Sequence, residues 1–358
     1  MTNKRINQMF SMIKTLISIV IAMILAFVVI LLVSNEPLNA LNAFVTGPLS
    51  SLRRFGQMLE YAIPVALCAL AVCVTFSLNM STVIGEGCSF FGGLLATAFI
   101  LQLGFTGFIA KTIAIVGAGL ICALVAAVPM YLKLKFDADL FVASLMLNYV
   151  LLYLGLYILN YHFRDPDYGM TASYEMPRES MLTNIIPKTS VTTGLILAIV
   201  AMVVIYLVMD KTSFGYQIKL IGSNSKFAKY SGVSIFRISM LASLVGGFLS
   251  SMGGAVECLS RNARFQWTAL PGYGWDGILI ATIAGFKPKN LPLAVLFIAY
   301  IRTGADIMNR SSDVAAELVT VVQALMILLI AAKGFLSKAQ QRLIVKNAKK
   351  LASLEGAK

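Results

Sequence analysis

The chain has 358 residues, of which 58% are hydrophobic and only 13% charged, and its formal net charge is +13 at pH 7. A soluble domain needs about a quarter of its residues charged to cover its surface. The composition therefore excludes a soluble domain and indicates an integral membrane protein. The positive charge does not indicate nucleic-acid binding, because no compact basic and aromatic domain is present to carry it.

Ten apolar segments are long enough to cross a hydrocarbon layer of about 30 Å as helices. They lie near residues 13–33, 61–78, 89–105, 109–132, 139–160, 192–209, 238–256, 277–286 with the residues that flank it, 291–305 and 314–333. The first is longer than the core of a signal peptide, which favours a retained helix over a cleaved leader. The sequence therefore predicts an all-α polytopic membrane protein with about ten transmembrane helices.

The basic residues assign a side to each loop, because Lys and Arg concentrate in short cytoplasmic loops. With the N-terminus inside, 19 of the 29 Lys and Arg fall on the cytoplasmic side, where they face anionic membrane lipid. This predicts that both termini are cytoplasmic. Residues 1–338 then form one transmembrane domain with a cytoplasmic loop at 211–236 and an outer loop at 161–190, and residues 339–358 form a basic cytoplasmic tail.

Arg53 and Arg54 fall on the outer side in this topology. We therefore expect residues 41–59 to form an amphipathic helix in the outer interface, since long arginine side chains reach toward the headgroups.

A segment with a carboxylate, "NMSTVIGEG" at 79–87, precedes the third apolar run. A carboxylate at the bilayer centre costs about 2.5–3.5 kcal/mol, so intramembrane acids tend to be functional. Glu86, between two glycines, indicates either a broken helix that lines a substrate pathway together with Asn79, or a cytoplasmic turn between two spans.

The fifth apolar run carries Asn148 followed by tyrosines at 149, 153 and 157, which share one helix face. Tyr149 and Tyr153, with the amide beside them, are suited to stack on and hydrogen-bond a sugar or a base. Packing between helices explains the same stripe equally well.

The loop at 222–234, "GSNSKFAKYSGVS", carries signals for a short helix. Asn224 or Ser225 caps its start, and Gly232 suits the left-handed position after its end. Phe227 and Tyr230 lie three residues apart and share a face. This segment is either a solvated loop or a docking element for a cytoplasmic partner.

Two glycine motifs resemble each other: "GEGCSFFGGLLATAF" at 85–99 and "GYGWDGILIATIAGF" at 272–286. The topology places them on spans of opposite direction, which is typical of the inverted repeats of transporters. Tyr273, Trp275 and Asp276 in the second motif are then candidates for the substrate pathway. An interfacial aromatic belt is the alternative explanation for them.

Enzyme chemistry has little material in this chain. The five cysteines lie mostly in apolar runs without metal-ligand spacing, which indicates small core residues, and His162, the only histidine, falls in the outer loop. No Gly-x-x-x-x-Gly-Lys-Ser/Thr motif occurs. We therefore expect no catalytic, metal or cofactor site, and nucleotide hydrolysis only in a partner.

Four segments resemble the permease subunits of ABC importers, in the branch for simple sugars and nucleosides that is related to branched-chain amino-acid permeases. "LMLNYV", "GYGWDGILIAT" and "IGEG" resemble family elements, although "IGEGC" lacks one residue and has Cys88 where the family has glutamine. The loop "TSFGYQIKLIGSNSKFAKYSGVS" is similar to the cytoplasmic loop of the family, with Lys219 in place of arginine and Phe227 in place of alanine. It matches the pattern at Thr212, Gly215, Gly222, Asn224, Ala228 and Gly232.

The resemblance implies a type II importer permease in a bacterial inner membrane. Its partners are ABC ATP-binding subunits that hold ATP and Mg, a second permease subunit in a homo- or heterodimer, and an external substrate-binding protein. The helix at 224–232 would receive the ATPase stroke through Gly215, Lys219, Gly222, Asn224, Phe227, Ala228, Tyr230 and Gly232. The substrate pathway would include Asn79, Glu86, Asn148, Tyr149, Tyr153, Tyr273, Trp275 and Asp276, for a nucleoside or simple-sugar cargo.

The alternative function is an ion-coupled secondary transporter of a small polar solute, which also has ten spans and an inverted repeat. It requires intramembrane carboxylates that bind Na⁺ or protons, and Glu86, Asp276 and Glu317 are the candidates.

Overall fold

The computed structural model describes residues 36–104, 107–187, 189–261 and 263–312, and the single positions Leu31 and Ala324. Contacts divide the chain into a unit of Pro48–Thr303 and a second unit that contains the residues before and after it. The described part of the second unit consists of α1 and the end of α11. All sites discussed below lie within the first unit.

The described residues are organised as helices and loops. In chain order the helices are α1 (Pro37–Thr46), α2 (Leu52–Phe76), α3 (Gly85–Leu103), α4 (Gly107–Phe136), α5 (Leu140–Ile158), α6 (Gly194–Lys211), α7 (Ser213–Ser223), α8 (Ser225–Tyr230), α9 (Ile235–Arg261), α10 (Tyr273–Ile283) and α11 (Leu291–Ser311). Short 3₁₀ turns lie at Gly47–Leu49, Arg178–Ser180 and Pro288–Asn290, and a π turn at Leu159–Phe163 extends α5.

Seven of these helices are long and apolar enough to cross a membrane: α2 to α6, α9, and α11 with its preceding turn. They correspond to the second to seventh and the ninth predicted spans. The first and tenth predicted spans lie outside the described residues, as does Glu317. The described part of the chain thus contains seven of the predicted spans as long helices, and the total of about ten is not confirmed.

The predicted amphipathic helix over 41–59 is wrong. The helix α1 ends at Thr46. The Ser51 hydroxyl then caps a new helix by accepting a hydrogen bond from the Arg54 amide at 3.3 Å. Arg53 and Arg54 thus lie in the first turn of α2. This helix of 25 residues is about 38 Å long, which exceeds a hydrocarbon layer of about 30 Å and leaves room for its first turn outside that layer.

The centre of the larger unit is α9, which packs against α2, α3 and α4 through glycines. A Cβ atom at Gly253 would come within 2.9 Å of the Pro64 carbonyl oxygen of α2, and one at Gly254 would overlap the Ser89 carbonyl oxygen of α3. On α4, the Ala126 carbonyl accepts a hydrogen bond from the Ser243 hydroxyl at 2.7 Å. Small residues at these contacts let the backbones approach closely, as in membrane helix pairs generally.

The crossing that follows α2 is interrupted, because its first part is a non-helical connector and only its second part is the helix α3. The chain leaves α2 at Phe76, passes through a non-helical connector of residues 77–84, and starts α3 at Gly85. Gly85 lies beside Ser250, the sixteenth of the 27 residues of α9, so α3 begins halfway along that helix. We call the end that holds Phe76, Lys135 and Lys211 the basic end. The connector leads from the basic end to the middle of the unit.

A second interrupted crossing follows α9. Residues 263–272 return from the end of α9 to the middle, and α10 runs from there alongside α2 to the basic end, where Phe286 stacks on Phe76 at 5.7 Å. The 11 residues of α10 span about 16 Å, so the eighth predicted span is half a helix completed by a loop. Helices α3 and α10 leave the middle in opposite directions, as an inverted repeat requires.

Ion pairs and hydrogen bonds join the predicted outer loop to the segment after α9. Arg264 forms ion pairs with Asp165 and with Glu175, the latter at 3.4 Å, and its guanidinium lowers the pKa of Asp165 by hydrogen bonding. Phe265, fully buried, donates its amide to the Ser173 hydroxyl at 2.9 Å. His162 lies in the π turn that closes α5, before the loop starts.

Replacing Gly254 with leucine is expected to destabilise the fold, because the new side chain overlaps the Ser89 backbone and forces α3 away from α9. Overpacking of this kind costs about 1–3 kcal/mol. Gly169 is a matched control, since a Cβ atom there meets nothing within 4 Å. Thermal unfolding of the purified variants measures the difference, and equal stability of G254L and G169L would contradict the tight α3–α9 contact.

Candidate functional site

The N-termini of α3 and α10 meet in the middle of the larger unit, and the Glu86 carboxylate joins them. It accepts hydrogen bonds from the amides of Gly272 at 2.5 Å, Gly274 at 2.6 Å and Trp275 at 3.3 Å. Glu86 is 1% exposed and itself lies in the first turn of α3. One negative charge therefore compensates the positive ends of two helix dipoles and three amides that have no water to bind.

Glycine is required where these helix ends touch. A Cβ atom at Gly274 would lie 2.5 Å from the Glu86 amide nitrogen and 2.6 Å from its Cα. Gly272 caps α10 with a φ of 87°, in the left-handed region that favours glycine. The Gly-x-Gly pattern in the second motif thus serves a close helix contact and a cap.

The connector before α3 is held by α5. Asn148 donates its side-chain amide to the Val83 carbonyl at 2.9 Å and accepts from the Gly87 amide at 2.9 Å. The Ser144 hydroxyl accepts from the Val83 amide at 3.0 Å. Of the two interpretations of this segment, the structure has the broken helix, and buried polar side chains satisfy its free backbone groups.

A second polar cluster surrounds the start of α10. Asp276, 3% exposed, accepts hydrogen bonds from the Tyr61 hydroxyl and from Arg302 of α11 at 2.6 Å. Tyr273 packs edge-on against Tyr61 at 6.0 Å and donates its hydroxyl to Glu257 at 3.2 Å. Because Asp276 lies at a buried helix start in the middle of the unit, it is not part of an interfacial belt.

Sequence reasoning missed four charged members of this cluster: Glu60, Glu257, Arg261 and Arg302. Arg261 pairs with Glu60 at 3.7 Å and with Glu257 at 3.8 Å. The signal was available, because charged residues at or inside predicted spans are costly and usually paired. Charge within the predicted second, seventh and ninth spans and their ends therefore points to this cluster.

The other predicted pathway residues lie elsewhere. Asn79 is exposed in the turn after α2, with a left-handed φ of 58°. Tyr149 and Tyr153 are exposed on α5, on the side away from buried Asn148. The structure thus brings together Glu86, Tyr273, Trp275 and Asp276. It places Asn148 against the start of α3.

The predicted loop helix is present as α8. The Asn224 side chain caps it by accepting from the Phe227 amide at 3.0 Å, and Gly232 follows it with a φ of 80°. The Gly232 amide binds the Lys229 carbonyl at 3.1 Å and the next amide binds the Ala228 carbonyl at 3.0 Å, a paired closure typical of helix C-termini. Both predicted helix signals are confirmed.

The surface of α8 is almost wholly exposed. Only Ala228 is buried, whereas Tyr230 is 90% exposed and Phe227 56%. Phe227 and Tyr230 thus present two exposed aromatic side chains on this short helix.

The preceding helix α7 connects α8 to the rest of the unit. Lys219 forms an ion pair with Asp210 of α6, and Gly215 packs against the Met209 backbone. At Gly222 a Cβ atom would overlap the Ser77 carbonyl oxygen, so α7 rests directly on the start of the connector 77–84.

Comparison with known proteins decides the family. A model described as branched-chain amino acid transport system, permease component, matches residues 55–331. The chain belongs to this family. Permeases of this kind are multi-pass membrane proteins without enzymatic activity, and they work with separate ATP-hydrolysing and substrate-binding subunits.

Three relatives align with most of the permease. A glucose ABC transporter permease of Haloferax volcanii is 26% identical, and the alignment covers 90% of this chain and 87% of the relative. A nucleoside ABC transporter permease, NupB of Lactococcus lactis, is 25% identical, with 91% and 92% covered. A guanosine ABC transporter permease, NupP of Bacillus subtilis, is 24% identical, with 91% and 94% covered.

One solved structure, PsaBC from Streptococcus pneumoniae in complex with Fab, is similar to the permease with a TM-score of 0.48 and 17% identity. The match covers 85% of this chain and 98% of that chain.

Replacing Glu86 with glutamine is expected to lower the stability of the permease. The amide keeps the size of the side chain but presents a donor to backbone N–H groups, and each hydrogen bond lost to a charged group costs about 1.5–3 kcal/mol. Thermal unfolding in detergent measures the effect. Glu179, exposed in the outer loop, supplies the control E179Q, and equal melting temperatures of the two variants would contradict the role of Glu86 as the joint.

Proposed function

We propose that this permease forms the translocation pathway of an ATP-driven importer for nucleosides or simple sugars. Its family membership and the names of its relatives, which are permeases for glucose, nucleosides and guanosine, support this cargo class. The observation that carries the proposal is the exposed aromatic helix α8, seated through α7 on the start of the interrupted crossing.

The assembly that follows from this proposal combines this permease with three further components. Two ABC ATP-binding subunits hold ATP and Mg at the basic end, a second permease completes the pathway, and an external binding protein delivers the solute. The permease lies in a bacterial inner membrane with both termini cytoplasmic, since the basic end matches the inner leaflet. Residues 1–338 form the permease domain and residues 339–358 its basic tail.

In this assembly α8 docks in an ATP-binding subunit through Phe227 and Tyr230. Closure of the ATP-binding subunits displaces α8 and α7 together, because α8 follows α7 directly. Gly222 transmits the displacement to Ser77 at the start of the connector. Gly215 and Lys219 act as internal supports of the loop, since one packs on α6 and the other pairs with it.

Ion-coupled transport agrees less well with this geometry. Both Glu86 oxygens accept backbone amide hydrogen bonds, and Asp276 is paired with Arg302 and Tyr61, so neither carboxylate offers oxygens suited to Na⁺. We assign Glu86 and Asn148 to the framework of the pathway. Uptake driven by an ion gradient in vesicles without ATP would overturn the importer proposal.

The double variant F227A/Y230A is expected to insert and fold normally but to lose its ATP-binding partners. Both side chains are exposed in the isolated chain. Buried aromatic anchors at an interface usually contribute more than about 1 kcal/mol each, so loss of both should weaken the affinity by about thirtyfold or more. Co-purification with the ATP-binding subunits and ATP-driven uptake in proteoliposomes measure the loss.

Tyr174, an exposed aromatic residue of the outer loop, gives the matched control Y174A, which should assemble and transport as the wild type does. Undiminished assembly and uptake by F227A/Y230A would show that α8 is not the coupling element.

A further inference from the structure

An arginine lies halfway along a membrane helix with part of its surface open. Arg302 is the twelfth of the 21 residues of α11, and its side chain is 33% exposed although it pairs with Asp276 at 2.6 Å. A guanidinium that faces acyl chains at this depth costs about 2.5–3.5 kcal/mol or more. This side of the larger unit therefore faces water or protein rather than lipid.

The residues beside the ion pair share its exposure. Trp275, which precedes Asp276 in the first turn of α10, is 44% exposed, and Tyr61 is partly exposed with its hydroxyl bound to Asp276. We call Tyr61, Trp275, Asp276 and Arg302 the polar face. It combines an indole ring, a phenol and a neutralised charge pair at the place where the two interrupted crossings meet.

Other exposed surfaces of the spanning helices are different in kind. The exposed residues in the middle of α6 are aliphatic, among them Val200, Val203 and Val204, as expected for contact with lipid. The tyrosines of α5 lie among exposed Met146, Val150 and Leu154. Neither surface carries a charged side chain in its middle.

We infer that the polar face lines the translocation pathway and binds the solute in transit, an assignment that rests on the proposed importer function. The chemistry of the face selects a neutral, polyhydroxylated ring. Trp275, 44% exposed, offers a flat surface for stacking on a sugar ring or a base, and the partly exposed side chains of Tyr61 and Arg302 give the same face its polar character. Because Asp276 neutralises Arg302, the face does not select anions.

Thiol labelling of the assembled transporter in membrane vesicles tests whether the face is wet. Trp275→Cys should react with a positively charged, membrane-impermeant methanethiosulfonate, whereas Val203→Cys, 51% exposed on α6, should react only with a lipid-soluble maleimide. The five native cysteines are buried and give a low background. Labelling of Trp275→Cys no faster than that of Val203→Cys would place the residue against lipid or a partner chain and overturn the inference.

Protection by solutes tests the ligand class. D-glucose, D-ribose, adenosine and guanosine are added separately, and the one that the wild-type transporter imports should slow the labelling of Trp275→Cys. Absence of protection by an imported solute would overturn the binding role. Absence of ATP-driven import of all four by the wild type, with the labelling pattern retained, would instead reject the proposed cargo and the ligand class inferred here.

A conservative pair of variants keeps the test valid if the cysteine variant folds poorly. Trp275→Phe retains a smaller stacking surface and should lose less uptake than Trp275→Ala, which should reduce uptake about tenfold with assembly and ATP hydrolysis retained. Leu293→Ala, at an exposed aliphatic position of α11, is the control. Equal uptake by Trp275→Ala and Leu293→Ala would contradict a solute contact at Trp275.

Discussion

The architecture of the larger unit depends on one carboxylate that serves two helix N-termini. Helices that begin in the middle of a membrane protein leave amide groups without water, and each unsatisfied group costs several kcal/mol. Glu86 removes this problem for α10 with three hydrogen bonds and places its charge near the positive end of α3 as well. The cost of burying the carboxylate is offset by the same contacts that fix the two helices relative to each other.

This joint determines where polar chemistry can exist in the permease. Two crossings are made by a connector and a helix that starts in the middle, so irregular backbone and polar side chains are enclosed by neighbouring helices. The first connector is satisfied by Ser144 and Asn148 of α5. On α10 the next residues, Trp275 and Asp276, are consequently held in the middle of the unit, where Tyr61 and Arg302 bind Asp276. A continuous helix at either crossing would leave no place for these groups.

Local features of this fold were predictable from sequence because they depend on neighbouring residues. The cap at Asn224, the left-handed Gly232 and the broken segment before Glu86 follow from short-range hydrogen bonding and backbone preference. The apolar runs located seven spanning helices, but hydropathy reports length and composition, not where a helix starts. It therefore missed that α2 begins before its arginines and that α10 covers only half a crossing.

The partners of the buried charges were not predictable in the same way. Glu86 and Gly274 are 188 residues apart, and Arg302 meets Asp276 only because α10 turns back at the basic end. A single sequence shows that such charges need partners, but the fold determines which ones. From sequence alone, Glu86 and Asp276 therefore have the same predicted role. The structure distinguishes them, because Glu86 joins two helix starts whereas Asp276 pairs with the partly exposed Arg302.

The same geometry gives the proposed ATPase stroke a short route to the pathway. Helix α7 touches the chain at Ser77, and nine residues later the chain reaches Glu86. The connector between them is not a helix, so it has no internal ladder of hydrogen bonds that would resist bending, and side chains of α5 hold its far end. In the proposed mechanism, motion at the basic end would therefore reach the joint at Glu86, where α3 and α10 begin. Since each of these helices reaches toward a different side of the unit, a shift at their common start would act on both sides at once, as the proposed alternating access requires.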